Sequence, residues 1–253
     1  MKIIAHRGAS AAAIENTLAA MQLALEHGAD AIELDVHLCQ QQLVVFHDFS
    51  VNQLSNGRGQ IAELTLAQLQ ALQLHPKRGS ALAKTQPQLR AQIPTLWQVL
   101  EALADSGIDI NIELKGANCA QALPPLLQQA EQRLGYRPEQ FIISSFDGAQ
   151  LQVLRQQTKR YPIGALTEQC PADLAQFASD LHAGALHANR RTITPALIDD
   201  AHQRGLTVYV YTVNSPTEVR RMAALGVDGI FTDHPKRSRE LLQLTTSCQG
   251  WLT

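Results

Sequence analysis

A chain of 253 residues, 45% hydrophobic and 17% charged, has the size and apolar content of one α/β-barrel domain, and this composition excludes a disordered chain. A formal net charge of −2 provides no field to attract nucleic acid or an anionic membrane surface, and no apolar run approaches the ~20 residues needed to span a bilayer. The opening MKIIAHRG runs straight into a strand-like segment without a basic, apolar and cleavable leader, so the expected location is the cytoplasm.

Strand-like runs occupy 2–6, 31–38, 43–47, 109–115, 141–146, 161–166, 184–188, 207–213 and 229–233. Amphipathic stretches such as Asn16–His27, Gln121–Leu134, Thr194–Arg204 and Pro216–Leu225 separate most of them, and Gly28, Gly135, Gly205 and Gly226 supply helix-ending caps. This alternation predicts a parallel α/β architecture. The runs 31–38 and 43–47 are too close for a parallel crossover, which needs about a dozen residues, so they form an antiparallel hairpin. The remaining eight runs predict a (β/α)₈ TIM barrel, taken as a single domain over 1–253. With the turn at Gln40–Gln41, the hairpin brings His47 back towards Leu34 and Asp35. Residues 48–95 add no barrel strand. They contain NGRG, a short helical pattern at Leu64–Leu72 and a polar stretch, and are expected to be an insertion capping the C-terminal face. Cys39, Cys119, Cys170 and Cys248 are scattered without a CxxC pair and read as free thiols.

Three strand ends carry groups that a purely structural barrel does not need: His6-Arg7, Glu33-Leu34-Asp35 and Glu113-Leu114-Lys115. The period of two puts Glu33 and Asp35 on one face, and the hairpin adds His47. Converging carboxylates repel one another unless a cation neutralises them, and all-oxygen ligation suits one Mg²⁺ or Ca²⁺. Arg7 and Lys115 suit an anionic substrate, and two histidines can divide proton removal and proton donation. A histidine, an ExD pair or a rim lysine each has an ordinary structural reading when taken singly; their conjunction at strand ends favours a site. His37, on the ELD strand, and His187 and Asn189, ending another, are possible pocket residues, whereas His27, His75, His182 and His202 read as structural.

HRGAS (6–10), ENT (15–17), GADAIELDVHL (28–38), VVFHD (44–48), NGRG (56–59), IPTL (93–96), INIELK (110–115), ISSF (143–146), YTVN (211–214) and DGIFTDHP (228–235) together resemble the glycerophosphodiester phosphodiesterase family. The resemblance implies hydrolysis of a small-molecule phosphodiester to glycerol 3-phosphate and an alcohol, with water or the glycerol 2-hydroxyl as attacker. It also implies His6 and His47 as the acid–base pair, Glu33, Asp35 and Glu113 on the metal, and Arg7 and Lys115 on the phosphate. Gln40-Gln41 replaces the family's usual Asp-Gly turn, and Tyr211 stands where Trp is frequent. A phospholipase C- or D-like diesterase acting on lipid is the nearest alternative. An exposed apolar rim or a secretion signal would favour it, and neither is visible in the sequence, so no stable membrane association is expected.

Overall fold

Ile32, Leu34 and Val36 of the second strand alternate with Ala31, Glu33 and Asp35, so its two faces differ in kind. The apolar set joins the main core with helix residues such as Met21, Val99, Leu100 and Leu123. The other set looks into the space that the strands enclose. The computed structural model describes residues 1–248, with side chains through Gln243; residues 249–253 and the side chain of Cys248 lie outside the described part.

The strands are β1 (Lys2–His6), β2 (Ala31–Cys39), β3 (Gln42–Val45), β4 (Asp109–Leu114), β5 (Phe141–Ser145), β6 (Ile163–Thr167), β7 (Ala185–Asn189), β8 (Thr207–Tyr211) and β9 (Gly229–Thr232). The helices are α1 (Leu18–Glu26), α2 (Leu66–Ala71), α3 (Ala81–Thr85), α4 (Leu96–Leu103), α5 (Cys119–Leu134), α6 (Gly148–Gln157), α7 (Gln176–Asp180), α8 (Pro195–Gln203), α9 (Pro216–Ala224) and α10 (Pro235–Cys248). All strands except β3 pair in parallel, and β1 meets both β9 and β2, which closes an eight-stranded barrel with helices around it. Strand β3 stands outside the barrel, antiparallel to the upper half of β2, in the register Val36↔Val45 to Cys39↔Gln42. That register keeps the spacing expected from the sequence, and Phe46 N–H donates to the Asp35 carbonyl at 3.0 Å, so His47 leaves the hairpin beside Asp35.

Inside the barrel, Ile4, Ala31, Ala185, Tyr209 and Phe231 form an apolar floor. The same inward rows become polar towards the C-terminal strand ends: Ala31 leads to Glu33 and Asp35, and Asp109 to Asn111 and Glu113. The excursion after β3 has a core of its own. Phe46, Val51, Leu54, Ile61, Leu69, Leu74, Leu82 and Ile93 pack together, away from the barrel's main core. The stretch read as polar contains α3, capped by the Ser80 side chain, and Leu82 anchors it in that core. Sparse leucines among polar residues hold this segment down, a pattern too irregular to show a period. Some of the abundant glutamines have definite local work: Gln68 and Gln98 complete capping boxes with Thr65 and Thr95. Among the described residues, no helix is long and apolar enough to cross a membrane.

Gly8 follows Arg7 at the top of β1, with a left-handed φ of +80°, and a Cβ there would lie 2.6 Å from the Ala20 carbonyl group. Backbone strain and collision therefore add. Gly8→Ala is expected to lower stability by at least about 1 kcal/mol in urea titrations, and more than alanine at exposed Gly107 (φ +68°), which has open space.

Candidate active site

The sequence-selected groups converge on one cavity. His6, Arg7, Glu33, His47, Glu113 and Lys115 all line a recess of about 380 Å³ at the C-terminal ends of the strands, walled on one side by Phe146 and Tyr211. Asp35 lies just beneath, 1% exposed, within ion-pair distance of Arg7 Nε (3.3 Å) and Lys115 Nζ (4.0 Å). Parallel register produces the convergence, because Asp35 is level with Glu113, and Glu33 with His6.

Glu33, Asp35 and Glu113 are all buried, each offering one oxygen within 4.8 Å of the others. Their charges are unequally tolerated. Burial raises the Glu33 carboxyl well above its ordinary range, and Asp35 and Glu113 add to the rise. Glu113 is raised by burial and by Asp35, with Lys115 opposing. Burial would raise Asp35 too, but Arg7, His47, Lys115 and a hydrogen bond from Asn16 outweigh it, and its pKa is lowered. The local side chains thus neutralise one carboxylate well and leave two frustrated. A hard divalent cation is the group that acceptor-only oxygens at this spacing fit. Arg7 also donates its backbone N–H to Glu33 Oε2 at 2.8 Å, from a left-handed φ of 57°. Among the described residues its Nε has no aligned hydrogen-bond acceptor despite the ion pair with Asp35, which leaves a buried donor beside the cavity.

The two histidines are held alike. His6 Nδ1 lies 2.7 Å from Asp233 Oδ1, and His47 Nδ1 lies 2.7 Å from Asp48 Oδ1. Each carboxylate orients its ring through Nδ1, so that Nε2 is not taken up by that contact. Burial lowers the pKa of His47, although Asp35 opposes the shift. Asp233 is in turn fixed by Asn214 Nδ2 at 2.6 Å and by Ser10 Oγ at 3.1 Å.

Reasoning from the sequence did not assign these orienting residues. Adjacency to His47 was the available signal for Asp48; Asp233 and Asn214 sat unassigned in the TDHP and YTVN segments. The ENT segment also resolves into contacts: Glu15 pairs with Arg7 NH1, Asn16 bonds Asp35, and the Thr17 side chain caps α1. His37 does not reach the cavity. Its Nε2 meets the His47 carbonyl at 3.1 Å and its ring lies edge-on to Phe49, so it steadies the loop that carries His47. His187 lines the cavity, whereas Asn189 Oδ1 accepts from the Arg191 N–H in the following loop. Tyr211 contributes its ring to the wall, and its hydroxyl donates to the Thr167 carbonyl at 2.7 Å.

Residues 6–237 match the glycerophosphoryl diester phosphodiesterase family. The chain is 34% identical over 236 residues to the glycerophosphodiester phosphodiesterase of Caldanaerobacter subterraneus, across 92% of this chain and 94% of that protein. Among solved structures, it superposes with a TM-score of 0.85 on an Oleispira antarctica phosphodiesterase in complex with the product sn-glycerol-3-phosphate, at 25% identity, covering 96% of this chain and 97% of the other. It superposes with a TM-score of 0.75 on a glycerophosphodiester phosphodiesterase of Agrobacterium tumefaciens, at 27% identity, covering 93% and 97%.

The strained carboxylates make a prediction about stability as well as binding. With raised folded-state pKa values at Glu33 and Glu113, the metal-free protein should gain stability as pH falls through those values and lose it as pH rises. Glu33→Gln should raise the metal-free melting temperature near neutral pH while weakening divalent-cation binding. In the wild type, cation at 100 times its Kd should add about 2.7 kcal/mol. Calorimetry with and without chelator checks both; a Glu33→Gln protein less stable than wild type without metal would contradict this account.

Proposed function

The chain belongs to the glycerophosphoryl diester phosphodiesterase family, a family of phosphoric diester hydrolases, and from that premise we propose that it cuts glycerophosphodiesters to glycerol 3-phosphate and an alcohol. One observation carries the reading: two imidazoles, each steadied by a carboxylate, open into a single cavity with Glu33, Glu113, Arg7 and Lys115. The glycerol 3-phosphate named as product of the Oleispira relative supports a small-molecule substrate.

Glu33, Asp35 and Glu113 would hold one Mg²⁺ or Ca²⁺, which when bound supplies positive charge against the phosphoryl oxygens and relieves the repulsion among its ligands. Arg7 and Lys115 bind the phosphate. Arg7 brings its unaligned Nε, and Lys115 an ammonium 2.9 Å from Glu113 and over the Phe146 ring. One histidine takes the proton from the attacking oxygen while the other delivers a proton to the leaving alkoxide. His47, lowered by burial, is neutral near pH 7 and so has an open lone pair. Burial would raise Asp233, but bonds from His6, Asn214 and Ser10 hold it at about 2, so it remains an anion able to stabilise an imidazolium at His6.

The excursion takes part through a second cleft of about 450 Å³, which shares His6 and Arg7 with the inner cavity and is bounded by Leu54, Pro76, Lys77 and Ser80. We assign this cleft to the leaving alcohol and the excursion to capping the C-terminal face. Lys77→Glu should alter the ranking of choline, ethanolamine and glycerol headgroups in kcat/KM while moving the melting temperature little, because Lys77 is exposed. An unchanged ranking would refute the assignment.

Replacing His6 or His47 with Gln should cost about 10²–10⁴-fold in kcat, with a smaller change in KM. The wild-type pH profile should be bell-shaped, its limbs belonging to the pair. The variant lacking the acid should regain activity on a nitrophenyl diester, whose alkoxide leaves without a proton, and the variant lacking the base should not. Equal responses of the two variants to leaving-group acidity would overturn the division of roles.

A further inference from the structure

His187 is completely buried in the barrel interior, and among the described residues neither of its ring nitrogens has a hydrogen-bond partner. Asn111, 4% exposed, places one end of its amide against Ser144 Oγ at 3.0 Å and leaves the other end unpartnered. Both side chains line the inner cavity that also holds Glu33, Glu113 and His6. Strand β7 lies across the barrel from β2, the strand that carries Glu33 and Asp35. Buried polar atoms without partners are few in folded proteins, and here two residues present them to one recess.

The recess is shaped around the imidazole. Tyr209 and Phe231 pack against the ring, with centroids 5.5 and 5.0 Å away. On the neighbouring strand, Gly164 leaves room for it, since a Cβ there would come within 2.5 Å of Nε2. Burial drives the imidazole down to about 3, so it is neutral throughout the working range. This excludes His187 from the proton-transfer work of His6 and His47. A neutral imidazole offers one donor and one acceptor, and the free end of the Asn111 amide adds a third polar atom. A hydroxyl, which both donates and accepts, suits one ring nitrogen together with that amide oxygen: it can accept from the imidazole N–H and donate to Asn111 Oδ1. A phosphate belongs instead with Arg7 and Lys115, and an ammonium would meet the imidazole N–H as well as its lone pair.

We propose that His187 and Asn111 form a subsite that hydrogen-bonds a free hydroxyl of the substrate's glycerol unit and thereby selects glycerol over plain alkyl diesters. The proposal rests on the phosphodiesterase reading above. An ordered water could satisfy the same atoms, and the test separates the two occupants.

The experiment measures kcat/KM of the metal-loaded enzyme on three nitrophenyl phosphodiesters, built on glycerol, propane-1,3-diol and propane-1,2-diol, so that each analogue lacks one hydroxyl. Wild type should lose about tenfold or more on one analogue, the scale of one hydrogen bond to a buried polar group. His187→Leu should lose a similar factor on the glycerol diester and little more on that analogue, so that discrimination collapses towards unity. His187→Gln, which keeps a donor and an acceptor, should recover part of it. Gly164→Ala, which displaces the ring without deleting a polar group, should also reduce discrimination, and this keeps the test open if the leucine variant does not fold. Wild type treating all three diesters alike, or folded His187→Leu and Gly164→Ala both discriminating fully, would overturn the subsite and leave the recess to water alone. Failure of wild type to cut any of the three would instead overturn the phosphodiesterase reading, and the subsite with it.

Discussion

Glu33, Asp35 and Glu113 crowd three acidic side chains into a space where their oxygens lie within 4.8 Å of one another, shut away from water. Such a cluster is expensive in a low-dielectric surrounding, and much of the architecture around it reads as a response. Arg7 reaches Asp35 with its guanidinium and Glu33 with its backbone N–H, Lys115 contacts Glu113, and Asn16 donates to Asp35. These contacts leave Asp35 comfortable as an anion while Glu33 and Glu113 remain raised. The remaining imbalance makes the site receptive to a cation, and the Arg7 and Lys115 side chains make it receptive to an anion. A folded protein that retains this conflict gives up some stability for a prepared site.

The histidines around the cavity show how partners, rather than residue type, decide a role. His6 and His47 each lean on a carboxylate through Nδ1, and both line the cavity. Among the described residues His187 has no carboxylate partner, and its surroundings of aromatic rings and backbone keep the imidazole uncharged. His37 fixes the backbone of His47 from behind. A further tier holds the orienters themselves, as Asn214 and Ser10 hold Asp233. Holding the orienting groups in turn narrows the positions that each imidazole can take.

Much of the fold was legible in the chain because barrel strands have a period of two and their helices end in recognisable caps. The hairpin followed from connection length alone, and its register from a turn centred at Gln40–Gln41, as the Val36↔Val45 and Cys39↔Gln42 pairs have it. The acidic and basic candidates were legible because ELD and ELK repeat that period at strand ends. The excursion was much less so. Its core is assembled from leucines and isoleucines spread from Val51 to Ile93, which no window of helical or strand period captures.

What the chain could not express is closure. The Asp233 that orients His6 lies 227 residues away, and the two meet only because β9 pairs with β1. The same holds for His187, whose isolation depends on Gly164, Tyr209 and Phe231 arriving from three other strands. Local spacing determined which side chains share a strand face, because that is fixed by backbone geometry. Which faces meet, and so which groups are ionised, oriented or left without a partner, was decided by the closed barrel, because charge and hydrogen bonding depend on neighbours in space.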